Sequence, residues 1–158
     1  MRWQSSQKLM NTRDLKSQLI LIMEDNADDA WLLQRALRRL GLTTLHIVRD
    51  GQEGVAYLAG EGPYANRDRY PLPGFIITDL KMPRLNGLEV LVWLRKHEKL
   101  RLIPTLVLSS SRAERDVASA YGFGANSYLV KPSSFADLEK MGRVIRDYWE
   151  SCEIPDAA

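Results

Sequence analysis

The feature that most constrains the fold is the alternation of short apolar runs with longer stretches of helical periodicity. The runs are bounded by polar or turn-forming residues, and they cover Leu19–Met23, Leu45–Val48, Phe75–Thr78, Thr105–Leu108 and Tyr128–Val130. Because nearly every residue in them is apolar, they are typical of strands buried on both faces of a parallel sheet. Strands that alternate with helices predict an α/β fold with a doubly wound, five-stranded parallel sheet.

Five segments with apolar residues at helical spacing follow these strands. Each begins after a polar or turn-forming residue, namely Asn26, Asp50, Asn86, Ser111 and Ser134. Such residues favour helix starts because their side chains accept hydrogen bonds from free backbone N–H groups. The sequence therefore predicts five helices.

Composition limits the class of protein. A chain of 158 residues is about one domain, and its 22 basic and 20 acidic residues are scattered, which does not predict nucleic-acid binding. The single cysteine, Cys152, fits a reducing compartment. No stretch has the roughly 18 to 20 apolar residues of a membrane span, and no signal peptide begins the chain. We expect a cytoplasmic protein that does not enter membranes.

Polar residues follow the ends of four predicted strands. Glu24 and Asp25 follow the first strand, Asp79 the third, Ser109 the fourth and Lys131 the fifth. In doubly wound sheets the binding crevice lies at the carboxyl ends of the strands. These side chains are therefore predicted to converge on one edge of the sheet.

The chemistry of that set points to a metal and a phosphoryl group. Neighbouring carboxylates repel each other unless a cation neutralises them, and hard oxygen ligands suit Mg²⁺. Lys131 adds a positive charge that can reach an anion. Neither a nucleotide phosphate loop nor a dinucleotide fingerprint is present, so the phosphate is expected to be covalent or transient. Asp79 is the predicted nucleophile, which would form an acyl phosphate.

Four motifs occur in order between Leu19 and about Trp149. They are Glu24-Asp25-Asn26, Asp79-x-x-Met82-Pro83-x-x-x-Gly87, Ser109 and Tyr128-x-x-Lys131-Pro132. Together they resemble the receiver domain of two-component response regulators. The resemblance implies a flavodoxin-like sheet with strand order 2-1-3-4-5 and five helices.

The resemblance also implies a metal site and an acceptor. Asp79 is the implied phosphoacceptor. Glu24, Asp25 and Asp79 are implied to hold Mg²⁺ together with the backbone carbonyl of Lys81.

A switch is implied at the other strand ends. Ser109 is the implied hydroxyl that moves toward the phosphoryl group, and the Tyr128 ring is implied to change rotamer with it. Lys131 is implied to pair with the phosphoryl group, and the Lys131–Pro132 peptide bond is implied to be cis.

The expected partners follow from the same resemblance. A sensor histidine kinase would supply the phosphoryl group, and the protein would act as a regulator rather than as an enzyme with an external substrate. The Glu24–Asp29 opening, the Gly60–Tyr64 insertion and the Tyr148-Trp149 pair are similar to response regulators of bacterial phytochrome kinases. We expect a homodimer through helix four, strand five and helix five.

The expected organisation is a flexible leader over residues 1–17, a stand-alone receiver over 18–150 and a short polar tail over 151–158. The turn-rich segment 60–74 is interpreted as a tolerated insertion or an interaction surface. Two other functions stay open: a Mg²⁺-dependent small-molecule phosphatase and a phosphorylation-independent protein-binding module. The phosphatase would need a general acid two residues beyond Asp79, where Lys81 stands.

Overall fold

A computed structural model describes residues 17–155. The elements in chain order are β1 (Ile20–Met23), α1 (Ala27–Arg39), β2 (Leu45–Val48), α2 (Gly51–Ala59), β3 (Phe75–Thr78), α3 (Gly87–Arg95), β4 (Thr105–Ser109), α4 (Glu114–Gly122), β5 (Ser127–Val130) and α5 (Phe135–Glu150). Two short 3₁₀ helices lie at Gly62–Tyr64 and Leu100–Leu102. The predicted alternation of strands and helices is confirmed.

The sheet has the order β2-β1-β3-β4-β5, and all neighbouring strands are parallel. The predicted strand order is therefore confirmed. Met23 at the end of β1 lies beside Thr78 at the end of β3. This register places the residues that follow, Glu24 and Asp79, next to each other where the strand order reverses, which is the usual ligand position in such sheets.

Helices cover both faces of the sheet, which explains why its central strands β1, β3 and β4 are buried on every residue. One face packs against α1 and α5 through Ile20, Ile22, Leu33, Leu37, Phe75, Ile77, Leu106, Leu108, Ile145 and Trp149. The other packs against α2 and α3 through Leu21, Met23, Val48, Tyr57, Leu58, Ile76, Val90 and Leu94. Burial of each large apolar side chain in this way contributes about 1.5–3 kcal/mol to the stability of the fold.

The helix starts follow the predicted caps. Asn26, Asp50 and Ser134 each accept a hydrogen bond from the backbone N–H three residues later, and Asn86 forms a capping box with Glu89. The fourth helix begins at Glu114, three residues after Ser111. These caps fix the loops that connect the carboxyl ends of the strands to the helices that follow.

The segment 60–74 packs closely against α2. Arg67 donates hydrogen bonds to the carbonyl oxygens of Tyr57 at 2.7 Å, Leu58 at 2.7 Å and Tyr70 at 3.2 Å. The rings of His46, Tyr57, Tyr64 and Tyr70 form what we call the aromatic cluster, with ring centroids 4.7 to 6.1 Å apart. The segment thus contributes side chains to the core.

The two ends of the chain are described only in part. The predicted leader lies outside the described residues except for Ser17. After α5, Cys152 and Ile154 pack against the apolar cluster that contains Trp149. In the described part of the chain, no helix is both long and apolar enough to cross a bilayer.

Candidate functional site

The carboxyl ends of β1, β3, β4 and β5 surround an open pocket of ≈ 320 Å³. Its lining consists of Glu24, Asp25, Asn26, Asp29, Asp79, Lys81, Ser109, Ser110, Ser111 and Lys131. The structure therefore brings together every residue of the predicted site except Tyr128. Because the strands are parallel and in register, their polar end residues meet at one edge of the sheet.

Three carboxylates stand close together in this pocket. One oxygen each of Glu24, Asp25 and Asp79 lies within 4.8 Å of the other two. Glu24 and Asp79 are buried, with 5% and 7% of their surface exposed, whereas Asp25 is exposed. Ca²⁺ and Mg²⁺ bind oxygens at about 2.0–2.6 Å. Oxygens at this spacing can therefore share one divalent ion, and the open side of the pocket leaves room for water ligands.

Lys131 forms ion pairs with three carboxylates of the pocket. Its Nζ lies 2.6 Å from Glu24 Oε2, 2.8 Å from Asp79 Oδ2 and 2.9 Å from Asp29 Oδ2. Burial alone would lower the pKa of Lys131, but its hydrogen bonds, with Asp79 first, outweigh burial and raise the pKa above the ordinary value. The ammonium is therefore charged, and its three donors all point to carboxylates.

Glu24 has a raised pKa, and burial is the main cause. Burial raises the pKa of Glu24 from 4.5 to about 7, and the negative charge of Asp79 adds to that rise. Hydrogen bonds from Lys131 and from the backbone N–H of Asn26 act in the opposite direction. Four carboxylates, Glu24, Asp25, Asp29 and Asp79, line the pocket beside two lysines, Lys81 and Lys131, and this excess of acidic groups favours binding of a further cation.

Asp29 is a pocket residue that the sequence analysis did not single out. It lies in the first turn of α1, and it bonds to Lys131. Leu33 is buried one helical turn later, and residues four apart share a helix face. The spacing of Asp29 from Leu33 was therefore a usable signal that this carboxylate faces the sheet rather than solvent.

Ser109 and Tyr128 are linked through one intervening residue. Ser109 is 1% exposed, and its Oγ accepts a hydrogen bond from Ser111 N at 3.2 Å. The Tyr128 hydroxyl donates to Ser111 O at 2.8 Å, while Tyr128 N donates to the Tyr121 hydroxyl at 3.1 Å. Tyr128 therefore lies outside the pocket but is connected to its hydroxyl side.

The loop after β3 holds Asp79 in place. Asp79 Oδ1 accepts a hydrogen bond from Leu80 N at 2.6 Å, and Gly87 N donates to Leu80 O at 2.8 Å. A Cβ on Gly87 would lie 2.1 Å from Asp79 O, so only glycine fits there. Lys131 reaches the carboxylates with its peptide bond to Pro132 in the trans form, so the expectation of a cis bond is wrong for this structure.

The sequence and the fold together identify the family. Residues 20–143 match the model of the response regulator receiver domain, and the chain belongs to that family. The predicted family is therefore confirmed.

Two relatives illustrate the similarity. FilR2 of Methanothrix harundinacea, described as a probable methanogenesis regulatory protein, is 40% identical over 133 residues, which are 83% of each chain. The response regulator Rcp1 of Synechocystis sp. is 36% identical over 141 residues, covering 88% of this chain and 94% of Rcp1.

Solved structures of this group have the same fold. The phosphorylated cyanobacterial phytochrome response regulator RcpA superposes with a TM-score of 0.81 at 35% identity, covering 88% of this chain and 99% of RcpA. The Mn²⁺-bound form of Rcp1 superposes with a TM-score of 0.76 at 35% identity, covering 87% of this chain and 99% of Rcp1.

Proposed function

We propose that the protein accepts a phosphoryl group on Asp79 from a sensor histidine kinase and changes its partner binding in response. The observation that carries the proposal is the set of groups around Asp79. Its carboxylate lies 2.8 Å from the Lys131 ammonium and within 4.8 Å of oxygens of Glu24 and Asp25. A carboxylate beside a metal site and a fixed cation is suited to forming an acyl phosphate.

Mg²⁺ is the proposed cofactor. Glu24, Asp25 and Asp79 would hold it with the backbone carbonyl of Lys81, whose residue lines the same pocket. All these ligands are hard oxygens, which suit Mg²⁺ and Mn²⁺ alike, and the Mn²⁺-bound form of Rcp1 supports a divalent ion here. When bound, the ion supplies positive charge to the oxygens of the transferring phosphoryl group.

The transfer uses the two oxygens of Asp79 differently. Oδ1 stays bonded to the backbone N–H of Leu80, and Oδ2 faces Lys131. Oδ2 attacks phosphorus, the bond from phosphorus to the histidine nitrogen of the kinase breaks, and that nitrogen keeps the electron pair. Lys131 then donates its hydrogen bond to a phosphoryl oxygen instead of to Asp79. The protein catalyses this step on itself. It therefore acts as a regulator rather than as an enzyme with an external substrate.

The proposed switch begins at Ser109. A phosphoryl group brings about two negative charges and strong acceptor oxygens to the pocket, which gives the Ser109 hydroxyl a new partner. A shift of Ser109 weakens its bond with Ser111 N, and Ser111 O is the acceptor of the Tyr128 hydroxyl. Phosphorylation thereby changes the populations of two arrangements of Tyr128.

The proposed output surface consists of α4, β5 and α5. Three large side chains are exposed on its helices: Tyr121 is 49% exposed, Val144 63% and Tyr148 60%. The Tyr121 hydroxyl accepts a hydrogen bond from the backbone N–H of Tyr128, so the switch residue Tyr128 is in direct contact with this surface. Exposed apolar side chains next to a switch support a homodimer as the output.

The kinase is proposed to be a bacterial phytochrome, because RcpA is a phytochrome response regulator. A cytoplasmic location and the lack of nucleic-acid binding stay predictions. The phosphatase alternative has no support in the pocket, because Lys81 lies where a carboxylic acid would be needed.

The test is phosphorylation with a small donor. Purified protein is incubated with Mg²⁺ and acetyl phosphate, and its intact mass is measured. We expect one added phosphoryl group in the wild type and none in Asp79→Asn. The exposed Asp28, also in the first turn of α1, gives the matched control Asp28→Asn, which should label normally. Equal labelling of Asp79→Asn would contradict the proposal, and rapid turnover of many phosphate esters would support the phosphatase.

A further inference from the structure

The loop that follows Asp79 is bonded to the start of α2. These contacts lie outside the pocket lined by Glu24, Asp25, Asp29 and Asp79, which we call the acidic pocket. Arg84 Nη1 donates to Asp50 Oδ2 at 2.9 Å, and Gly51 N donates to Leu85 O at 3.1 Å. Asp50 is buried, with 6% of its surface exposed. Neither Asp50 nor Arg84 lines the pocket. Their contact can therefore influence the pocket only through the loop.

The backbone at Arg84 is in an unfavourable conformation. Its φ is +67°, and in the described part of the chain it is the one non-glycine residue with a positive φ. L-residues other than asparagine and aspartate rarely adopt this region, because Cβ approaches the following carbonyl oxygen. Such a conformation persists only where surrounding contacts hold it. The ion pair with Asp50 is such a contact.

Two glycines fix the loop at both of its ends. A Cβ on Gly51 would lie 2.2 Å from Leu85 O, and a Cβ on Gly87 would lie 2.1 Å from Asp79 O. One end of the loop is therefore packed directly on α2, and the other directly on the backbone of Asp79. Lys81 lies between these two anchors.

We propose that Asp50 and Arg84 are positioning residues for the metal site, an inference that rests on the proposed function. The Lys81 ligand is a backbone carbonyl, so it cannot be aimed by a side-chain rotamer. Its place depends on the path of residues 80–86. The Asp50–Arg84 ion pair fixes that path from α2, and it thereby sets the affinity of the site for a divalent ion.

Asp50 has a second role that can be separated from this one. Its Oδ1 accepts a hydrogen bond from Glu53 N at 2.7 Å and caps α2. Asparagine caps helices about as well as aspartate, but its neutral amide would present N–H groups to Arg84. Asp50→Asn therefore keeps the cap and removes the ion pair.

Arg84 offers a complementary change. Arg84→Gly removes the ion pair and also relieves the positive φ, since glycine adopts this region without a steric penalty. Arg84→Lys keeps a positive charge and serves as the conservative variant. Arg39 forms an equally short ion pair with Glu139, 2.9 Å long, between α1 and α5. Arg39→Gln is therefore the matched control.

The experiment measures Mn²⁺ binding to the full chain by calorimetry, together with the thermal midpoint of each variant. Loss of residues that orient metal ligands typically weakens metal binding 10- to 100-fold. We expect the Kd for Mn²⁺ to rise about tenfold in Asp50→Asn and Arg84→Gly, with smaller change in Arg84→Lys and none in Arg39→Gln. The thermal midpoint of Arg84→Gly should match that of the control.

A kinetic measurement separates positioning from a purely structural effect. Labelling by acetyl phosphate should be slower in Asp50→Asn at low Mg²⁺ and should recover the wild-type rate at saturating Mg²⁺. Unchanged Mn²⁺ affinity in both variants would overturn this inference and leave the proposed function intact. Slower labelling at every Mg²⁺ concentration would also overturn it. Failure of the wild type to bind Mn²⁺ would instead overturn the proposed function.

Discussion

The acidic pocket and the aromatic cluster are two polar regions of the same small sheet, and they are built in opposite ways. In the aromatic cluster, two tyrosine hydroxyls have partners nearby: Tyr57 donates to Pro71 O at 2.8 Å and Tyr64 to Glu53 Oε1 at 2.6 Å. Nε2 of His46 is buried among the rings without a hydrogen-bond partner in the described residues. In the pocket, the single ammonium of Lys131 is shared by Glu24, Asp29 and Asp79.

The pKa shifts express the same contrast. Burial raises the pKa of Tyr57 and of Tyr64 and lowers that of His46, so these groups are held neutral. In the pocket, by contrast, Lys131 stays charged and carboxylates gather around it. The difference teaches that neutral polar groups packed among aromatic rings contribute to the core, whereas an excess of carboxylates at strand ends favours binding of a cation.

The largest expected effect on stability comes from removing a ring of the aromatic cluster. Tyr57 is 1% exposed, so Tyr57→Ala should lower the free energy of unfolding by about 3–5 kcal/mol. Urea denaturation measures this loss. Tyr57→Phe removes only the hydroxyl and should cost about 1 kcal/mol. Similar losses in the two variants would mean that the hydrogen bond, not the ring, carries the stability.

The next effect concerns Arg67, which bonds three backbone carbonyls of α2 and segment 60–74. Arg67→Ala should lower the free energy of unfolding by about 2–3 kcal/mol, because charged hydrogen bonds are lost and part-buried carbonyls lose their donor. Arg69 lies over the Tyr70 ring at 5.3 Å and is exposed. Arg69→Ala is the matched control, with an expected loss below about 1 kcal/mol. Equal losses would contradict a structural role for segment 60–74.

In the acidic pocket, a substitution should raise the free energy of unfolding rather than lower it. Without a divalent ion, Asp79→Asn removes one charge from a set of mutually repelling carboxylates, while Lys131 keeps Glu24 and Asp29 as partners. We expect the free energy of unfolding to rise by about 1 kcal/mol. Denaturation in chelator measures it. A loss of several kcal/mol would indicate that Asp79 belongs to a balanced structural network.

The smallest expected effect is the contribution of His46 to the pH dependence of the free energy of unfolding. Burial lowers the pKa of His46 from 6.5, and the charge of Glu53 opposes this; the rings of Tyr57, Tyr64 and Tyr70 also face it. Below pH 6.5 the unfolded chain therefore binds the proton more readily than the folded one, so the contribution of His46 to stability falls as pH falls.

His46→Gln isolates this contribution. Contributions from other groups cancel when the unfolding free energies of the wild type and this variant are subtracted at each pH. The difference should change between pH 7 and pH 5 in the direction that disfavours the wild type at low pH. A difference that is constant with pH would show that His46 does not titrate with folding.

The sequence predicted what depends on local patterns. The strands could be predicted because the apolar runs of the three central strands are buried on both faces, as Phe75–Thr78 shows. The edge strands β2 and β5 are only half-buried but have similar apolar runs. The convergence of Glu24, Asp79 and Lys131 could be predicted because parallel strands in one sheet end at the same edge.

What the sequence did not predict depends on contacts between distant elements. The bond of Asp29 to Lys131 joins residues 102 positions apart. The ion pair of Asp50 and Arg84 joins residues 34 positions apart. Segment 60–74 looked like a tolerated insertion because its turn residues hide the role of Arg67, whose carbonyl partners are visible only in the fold.

The most direct test of the central claim is the effect of Mg²⁺ on the free energy of unfolding. An ion that binds the folded protein alone raises this free energy by about 2.7 kcal/mol at 100 times its Kd. We predict this increase in the wild type and in Tyr57→Phe. In Asp79→Asn, most of the increase should be lost. An increase of the same size in Asp79→Asn, or none in the wild type, would contradict the claim that the carboxylates around Asp79 form a divalent metal site.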